Sequence, residues 1–186
     1  MSEEQLIKHC SPTLAGIKTG NIFVSVYSDI NEMRADIRYW NNRLTKKGLR
    51  ILPLRFQANR ALIYVFRPLQ LICDLQDETA CWLLQQYGYG TKKPEHYIRH
   101  LIKRIGEYTE FPHEIGLFLG YPPEDVCGFI ENKAQNCKCI GCWKVYGDAE
   151  KAQKIFAKYK KCTDVYSSQY AKGRTIERLT IAGTLD

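Results

Sequence analysis

The sequence lacks any long hydrophobic run and any recognisable export signal. No stretch approaches the ~20 consecutive apolar residues that a membrane-spanning helix requires. The first five residues are acidic and polar, whereas a secretory signal begins with a basic region followed by an apolar run. We therefore expect a cytoplasmic protein with no membrane segment. In that reducing compartment the eight cysteines are expected to be thiols, metal ligands or redox groups rather than structural disulfides.

The sequence also lacks linkers and repeats. No segment rich in glycine, serine or proline, no low-complexity tract and no internal repeat interrupts the 186 residues. Hydrophobic residues make up 45% of the chain, which is enough for a core that needs no disulfide support. The expectation is a single domain that spans residues 1–186.

The familiar nucleotide-binding motifs are missing as well. Residues 17–20 (Ile-Lys-Thr-Gly) have a superficial likeness to a phosphate-binding loop but lack the G-x-x-x-x-G-K-[ST] arrangement. No G-x-G-x-x-G follows a predicted strand. These absences exclude a P-loop nucleotide triphosphatase and a dinucleotide-binding fingerprint.

The spacing of apolar residues predicts an α/β fold, with α+β as the alternative: a mixed sheet of about four or five strands, including a hairpin, covered by helices. Asp29 caps one predicted helix and Gly48 ends it, while Pro53 marks an edge strand or a bulge. The predicted helices are a short one that begins at Ser11 and Pro12, then 30–47, 77–87, one from Pro94, one from Pro122 and one after Asp148. The predicted strands are 21–26, 49–56, 61–67, 115–119, 143–146 and 175–182.

Four strings of the sequence resemble a known family. They are HCSPTLAG (9–16), FPHEIGLFLGYP (111–122), GFIEN (128–132) and WKVYGD (143–148). The chain resembles DUF3793, a domain of unknown function found mainly in anaerobic bacteria of the clostridial group. The resemblance covers nearly the whole chain and implies a stand-alone cytoplasmic protein, but it implies neither a fold nor any catalytic residue.

Three cysteines, Cys137, Cys139 and Cys142, fall within six residues. A C-x-x-C turn lets two sulfurs converge on one metal, and Gly141 would give that turn freedom to bend. With Cys127 or Cys162 as a further ligand, soft thiolates would select zinc, copper(I) or an iron–sulfur cluster. No second C-x-x-C pair closes a standard site, so reduced, partly buried thiols are the commoner alternative, and a dithiol redox role lies between the two.

The segment His9–Thr13 is a second candidate site. If Ser11 caps a helix that begins at Pro12, Cys10 lies at the positive end of the helix dipole, which favours the thiolate. Cys10 would then be a nucleophile or a redox thiol, with His9 or the distant His113 as its base. The alternative is that Cys10 only packs in the core and His9 is exposed.

The segment His113–Pro122 is a third candidate site. His113 can exchange a proton near neutral pH, and Glu114 could orient that proton. The glycines and Tyr121 that follow would allow a ligand to approach the backbone closely. Equally, this segment could only form a tight turn.

Basic residues give two further hypotheses. If Arg55, Arg60 and Arg67 converge near the predicted hairpin, they would form an anion site. The net charge of +7 permits an anionic partner without requiring nucleic acid. Lysines also recur along one face of the last long predicted helix, and basic residues recur along one face of an earlier helix. Such a face could bind the phosphates of a nucleic acid, although a face that is simply exposed to solvent is commoner. These residues are Lys151, Lys154, Lys158, Lys160 and Lys161, and Arg99, Lys103 and Arg104.

Three functions follow in order of preference. The first is a protein that binds a small molecule or an anion, with or without catalysis, at a site joining His9–Thr13, His113–Pro122 and the hairpin arginines. The second is a metal-binding or thiol-redox protein that uses the three cysteines within residues 137–142. The third is a module that binds nucleic acid or another protein through a basic helix face.

Overall fold

The computed structural model describes residues 1–90, 94–107 and 111–183. The chain divides into two compact units. Unit 1 comprises Met1–Gln70 and Tyr159–Asp186, and unit 2 comprises Leu71–Lys158. The expectation of one domain over residues 1–186 stays a prediction.

The described residues form nine α-helices and five strands. The α/β class is confirmed, and the strands form two antiparallel sheets rather than one mixed sheet. The helices are α1 (Glu3–Leu14), α2 (Ile30–Leu44), α3 (Pro68–Asp74), α4 (Glu78–Gln86), α5 (Pro94–Glu107), α6 (Ile115–Phe118), α7 (Pro123–Glu131), α8 (Ala149–Ala171) and α9 (Ile176–Leu179). A 3-10 turn follows α2 at Thr45–Lys47. The strands are β1 (Gly20–Val26), β2 (Arg50–Gln57), β3 (Arg60–Phe66), β4 (Cys139–Ile140) and β5 (Lys144–Val145).

The sheet of unit 1 has the strand order β1-β3-β2, with both pairs antiparallel. Strand β2 therefore lies at an edge, and its register with β3 shifts between Pro53 and Arg55. Both features agree with the prediction for Pro53, because proline cannot donate a hydrogen bond to a neighbouring strand. The hairpin that joins β2 and β3 is confirmed.

Helices α1 and α2 supply much of the core of unit 1. Four α2 residues at spacings of three and four are buried, namely Met33, Ile37, Trp40 and Leu44. Asp29 caps this helix by accepting a hydrogen bond from the backbone N–H of Asn31 at 2.8 Å. Gly48 ends the 3-10 turn after α2 in the left-handed conformation, with a φ of 76°. These predicted boundaries are confirmed.

Helix α1 begins earlier than predicted. Ser2 forms a capping box with Gln5, and the helix then runs without interruption through Pro12. Ser11 is not a cap, because its hydroxyl donates to the carbonyl of Ile7, one turn earlier in the same helix. The prediction of a helix start at Ser11 and Pro12 is therefore wrong.

Unit 2 contains α4 to α7 and the β4–β5 hairpin. Asp77 caps α4, and α5 buries Leu101 and Ile105. Residues 115–119, predicted as a strand, instead contain the short helix α6, whose residues are buried on all sides. Strand β4 pairs with β5 through Cys139 with Val145 and Ile140 with Lys144.

Two elements close the chain. Helix α8 begins after Asp148, whose carboxylate accepts from the backbone N–H of Lys151 at 3.0 Å, as predicted. Residues 175–182 were expected to form a strand but contain helix α9, which buries Ile176 and Leu179 three residues apart. No helix in the described ranges is both long and apolar enough to cross a membrane.

Candidate functional site

Unit 2 contains a cavity of about 330 Å³, which we call the aromatic pocket. It lies between α6 with its flanking residues, helix α7 and the β4–β5 hairpin. Its lining residues are His113, Ile115, Gly116, Tyr121, Asp125, Val126, Phe129, Ile140, Gly141, Trp143 and Lys144.

A buried carboxylate ties the walls of the aromatic pocket together. Asp125 is only 3% exposed, and its Oδ2 accepts a hydrogen bond from Trp143 Nε1 at 2.6 Å. Its Oδ1 accepts from the backbone N–H groups of Tyr146 and Gly147, both at 2.7 Å. Three N–H donors satisfy this buried carboxylate, which joins the first turn of α7 to the residues on either side of β5. Trp143 is thereby held in one orientation.

Aromatic rings form the main wall. Trp143 stacks on Tyr121, with 4.9 Å between ring centroids and 28° between planes. Phe156 meets Trp143 edge-on at 4.5 Å. The Tyr121 hydroxyl donates to the carbonyl of Cys142 at 3.2 Å. Burial, with a smaller contribution from Cys142, raises the pKa of Tyr121 to about 12, so this hydroxyl stays neutral at physiological pH.

Two glycines let the walls approach each other closely. A Cβ at Gly116 would lie 2.8 Å from Val126 Cγ2, and a Cβ at Gly141 would lie 2.2 Å from the ring of Phe156. Gly141 is absent from the residues with positive φ. What requires a glycine at position 141 is therefore close packing against Phe156, and its role in a metal-binding turn stays a prediction.

The polar groups at the rim are His113 and Lys144. His113 is exposed, and its ring meets Phe129 edge-on at 5.0 Å. The Lys144 ammonium donates one hydrogen bond to the carbonyl of Ala134 at 2.7 Å. An ammonium has three N–H donors, so this contact leaves Lys144 able to donate to a ligand.

Comparison with known proteins identifies the family. A family model described as "Protein of unknown function (DUF3793)" matches residues 6–180. The chain belongs to this family. Neither a search of curated proteins nor a search of solved structures found a match. The match includes every residue that lines the aromatic pocket of this DUF3793 protein.

Of the predicted site residues in the third candidate segment, His113 and Tyr121 line the aromatic pocket, whereas Glu114 does not. The Glu114 carboxylate is fully buried, and its Oε1 accepts from Arg104 Nε at 2.5 Å and from the Tyr89 hydroxyl at 2.9 Å. The other oxygen, Oε2, is buried and has no hydrogen-bond partner in the described part of the chain, so neither oxygen of this carboxylate bonds the His113 ring. The expected pairing of His113 with Glu114 is therefore wrong in the DUF3793 structure.

The cysteine motif is spread along the hairpin. Cys139 pairs with Val145 in the two-stranded sheet, Cys142 is exposed in the turn, and Cys137 precedes β4. Within residues 1–90, 94–107 and 111–183, no three side chains of His, Cys, Asp or Glu form a set that could hold a metal ion. The three cysteines of this DUF3793 protein do not form such a set, and metal binding stays a prediction.

In unit 1, the segment His9–Thr13 lies inside α1. Cys10 is fully buried in the last part of that helix, and burial raises its pKa far above the ordinary value of a thiol. The argument for a thiolate at a helix N-terminus is therefore wrong. His9 is exposed and stacks on Phe23 at 5.1 Å, and the Thr13 hydroxyl donates to Asn21 Oδ1 at 2.7 Å. Burial, followed by the charge of Lys8, lowers the pKa of His9.

The hairpin arginines do not converge. Arg55 and Arg60 are exposed. Arg60 is the first residue of β3 and Arg67 comes directly after the last, so Arg60 and Arg67 are roughly 23 Å apart along the extended strand. Arg67 is buried, and its guanidinium donates to the backbone carbonyls of Thr13, Leu14 and Ile181. The predicted three-arginine anion site is therefore wrong.

The joint site of the first hypothesis stays a prediction, since His9–Thr13 belongs to unit 1 and His113–Pro122 belongs to unit 2. Sequence reasoning missed three pocket residues that matter most here: Asp125, Phe129 and Trp143. The motif GFIEN and the motif WKVYGD contain two of them, but nothing in the sequence indicated that these motifs meet. In the sequence, Asp125 is an acid close to the start of the helix predicted from Pro122, where acids are common.

Proposed function

We propose that unit 2 binds a small planar molecule with an acidic group in the aromatic pocket. The observation that carries the proposal is a cavity whose main wall, Trp143 stacked on Tyr121, is held in place by the buried Asp125. A preformed apolar cavity with a few converging polar groups is the usual form of a small-molecule site. A volume of about 330 Å³ suits a small ring compound.

The aromatic wall favours a planar ligand. Trp143, Tyr121 and Phe129 contribute aromatic rings to the lining, and planar ligands gain both dispersion and burial of apolar area against such rings. Ile140, which is 71% exposed, lines the pocket and supplies apolar surface open to solvent. A small planar molecule would cover that surface.

The charges at the pocket favour an acidic group on the ligand. Both oxygens of Asp125 already accept hydrogen bonds, so this carboxylate has little to offer a ligand. Lys144 keeps N–H donors beyond its one bond to Ala134. A carboxylate on the ligand would form a charge-assisted hydrogen bond with this ammonium.

The test begins with ligand-observed saturation-transfer NMR on benzoate, naphthoate and indole carboxylate, each compared with its neutral amide. Compounds that bind are then titrated by calorimetry. We expect at least one acid to bind more tightly than its amide. Failure of every compound to bind, or equal affinity for acids and amides, would contradict the proposal.

Two pairs of variants locate the binding. Ile140→Asp places a charge on the apolar surface of the pocket, and Ile181→Asp changes another exposed isoleucine, which belongs to unit 1, as its control. Lys144→Met removes the proposed anion partner. Lys138→Met is its control, because Lys138 also donates to a backbone carbonyl at 2.7 Å but does not line the pocket. We expect only the pocket variants to weaken the acid, by about ten-fold or more, and an unchanged affinity in Ile140→Asp would overturn the assignment.

A further inference from the structure

Unit 2 has a second cavity with different chemistry, which we call the basic pocket. Its volume is about 370 Å³, and it lies between helix α5 and the turn that follows α4. Its lining residues are Gly88, Tyr89, Gly90, His96, Arg99, His100 and Lys103. Among the residues that the structure describes, it shares none of its lining with the aromatic pocket.

One face of α5 supplies the positive charge. Positions 96, 99, 100 and 103 follow spacings of three and four, so their side chains lie along one side of the helix. The opposite side buries Leu101 and Ile105. The basic face therefore carries two permanent cations, Arg99 and Lys103, together with two imidazoles.

The base of the basic pocket is anchored. Tyr89 is only 3% exposed, its hydroxyl donates to the buried Glu114, and its ring packs against His100 at 4.4 Å. The Nε2 atom of His100 lies 3.1 Å from the carbonyl of Tyr87. Gly88 and Gly90 flank Tyr89 in left-handed conformations, with φ angles of 76° and 62°. The turn is thus held against α5 by the contacts of Tyr87 and Tyr89 with His100.

The positive charge that lines the basic pocket is not balanced by the nearby Glu114 carboxylate, because Glu114 forms an ion pair with Arg104. None of the described lining residues carries a carboxylate. Glu107 approaches Lys103, but Nζ and Oε2 are 3.9 Å apart and both side chains are more than half exposed, so water screens this pair. Arg99 is exposed and offers a planar fork of N–H donors suited to two oxygens of one anion.

From this geometry we infer that the basic pocket binds a phosphate-type oxyanion, either a free phosphate or the phosphate group of a small molecule. A tetrahedral anion can accept hydrogen bonds from Arg99 and Lys103 while it lies against the anchored turn at Tyr89. This site goes beyond the proposed function, because it involves a different ligand and a different cavity.

The test titrates the full-length chain with inorganic phosphate and with pyrophosphate by calorimetry, and follows backbone amide shifts by NMR. We expect saturable binding with a dissociation constant of about 1 mM or below, with shift changes concentrated at the lining residues. Arg99→Gln is expected to weaken binding by about ten-fold or more. Lys151→Gln removes the same charge from an exposed position on α8 and is expected to have little effect.

Three outcomes would overturn this inference. They are the absence of saturable binding to either anion, equal weakening by Arg99→Gln and Lys151→Gln, and binding of an oligonucleotide that phosphate and pyrophosphate do not displace. The aromatic-pocket variant Lys144→Met is expected to leave phosphate binding unchanged. A failure of one proposal can therefore be distinguished from a failure of the other.

Discussion

Replacing Arg67 with methionine tests how unit 1 is held together. The guanidinium is 6% exposed and donates from Nε to the carbonyl of Thr13 at 2.7 Å. Its Nη2 donates to the carbonyls of Leu14 and Ile181, at 2.8 and 2.7 Å. One side chain thus satisfies carbonyls at the C-terminal end of α1 and joins them to the segment after α9.

The expected loss of stability follows from these contacts. Each hydrogen bond from a charged donor contributes about 1.5–3 kcal/mol, so three short bonds set an upper range of roughly 4–9 kcal/mol. Burial also lowers the pKa of Arg67, which shows that the charge is partly desolvated, and methionine removes that cost. We therefore expect Arg67→Met to lower the free energy of unfolding by about 3–5 kcal/mol.

The measurement is urea unfolding followed by circular dichroism, with hydrogen exchange of the β3 amides to report on unit 1. Arg67→Lys keeps the charge but cannot reproduce the planar fork, so its stability is expected to lie between wild type and Arg67→Met. The controls Arg55→Met and Arg60→Met change exposed arginines of the same hairpin and are expected to leave the unfolding midpoint unchanged. A loss of less than about 1 kcal/mol in Arg67→Met would refute the reasoning.

Three further predictions concern buried positions. Because burial raises the pKa of Cys10, iodoacetamide should modify exposed cysteines of the native protein but not this one. An unfolded thiol ionises above about pH 8.5 while the native Cys10 stays protonated, so the free energy of unfolding should fall as the pH rises above this value. In urea unfolding at a series of pH values, Cys10→Ala should reduce this dependence on pH. Gly128→Ala should lower the free energy of unfolding in urea by about 1–3 kcal/mol, because the new Cβ would lie 2.5 Å from a tyrosine side chain. Its control is Gly106→Ala, which has open space for the new Cβ and should not destabilise α5. Asp125→Asn replaces one acceptor oxygen with an NH2 group that faces N–H donors, so thermal unfolding should show a stability lower by about 1–3 kcal/mol. The fluorescence emission of the tryptophan that donates to Asp125 should also change.

The parts of the fold that could be predicted are those where several local signals agree. For α2, a capping aspartate at Asp29, a regular apolar spacing and a terminal glycine all indicated the same helix, and the structure has it. For the β2–β3 hairpin, two apolar runs, a short polar connection and Pro53 indicated an edge strand with an irregularity. Such agreement leaves few alternative structures that satisfy every signal.

Helix α1 shows where a local signal fails. Ser11 and Pro12 match a helix start, yet Leu6, Ile7, Cys10 and Leu14 are all buried in the core of unit 1. One continuous helix places these side chains on the sheet, and that burial outweighs the hydrogen bond that proline removes. The carbonyl that loses this bond belongs to Lys8, an exposed residue. Tertiary packing therefore decided the helix start.

Short apolar segments fail for a different reason. Residues Ile115–Leu119 are all buried, so they show neither the alternation of a half-buried strand nor the one-sided pattern of a surface helix. Residues Ile176 and Leu179 are both buried at a spacing of three, but one turn is too short for a helical period to stand out from β-branched neighbours. In both cases the surrounding structure selects the helix.

The sequence indicated only part of the candidate site. His113 and Tyr121 are candidates from the sequence because their side chains suit proton exchange or ligand contact, whereas Asp125 matches an acid at a helix N-terminus. Its partners lie 18 to 22 residues further along the chain, in a hairpin that no local signal connects to α7. A buried carboxylate is costly unless its donors are in place, so the hydrogen bonds from the tryptophan and both backbone N–H groups favour this packing of α7 against the hairpin. The contact that specifies the aromatic pocket is therefore a long-range one, and it becomes visible only when α7 and the hairpin are seen together.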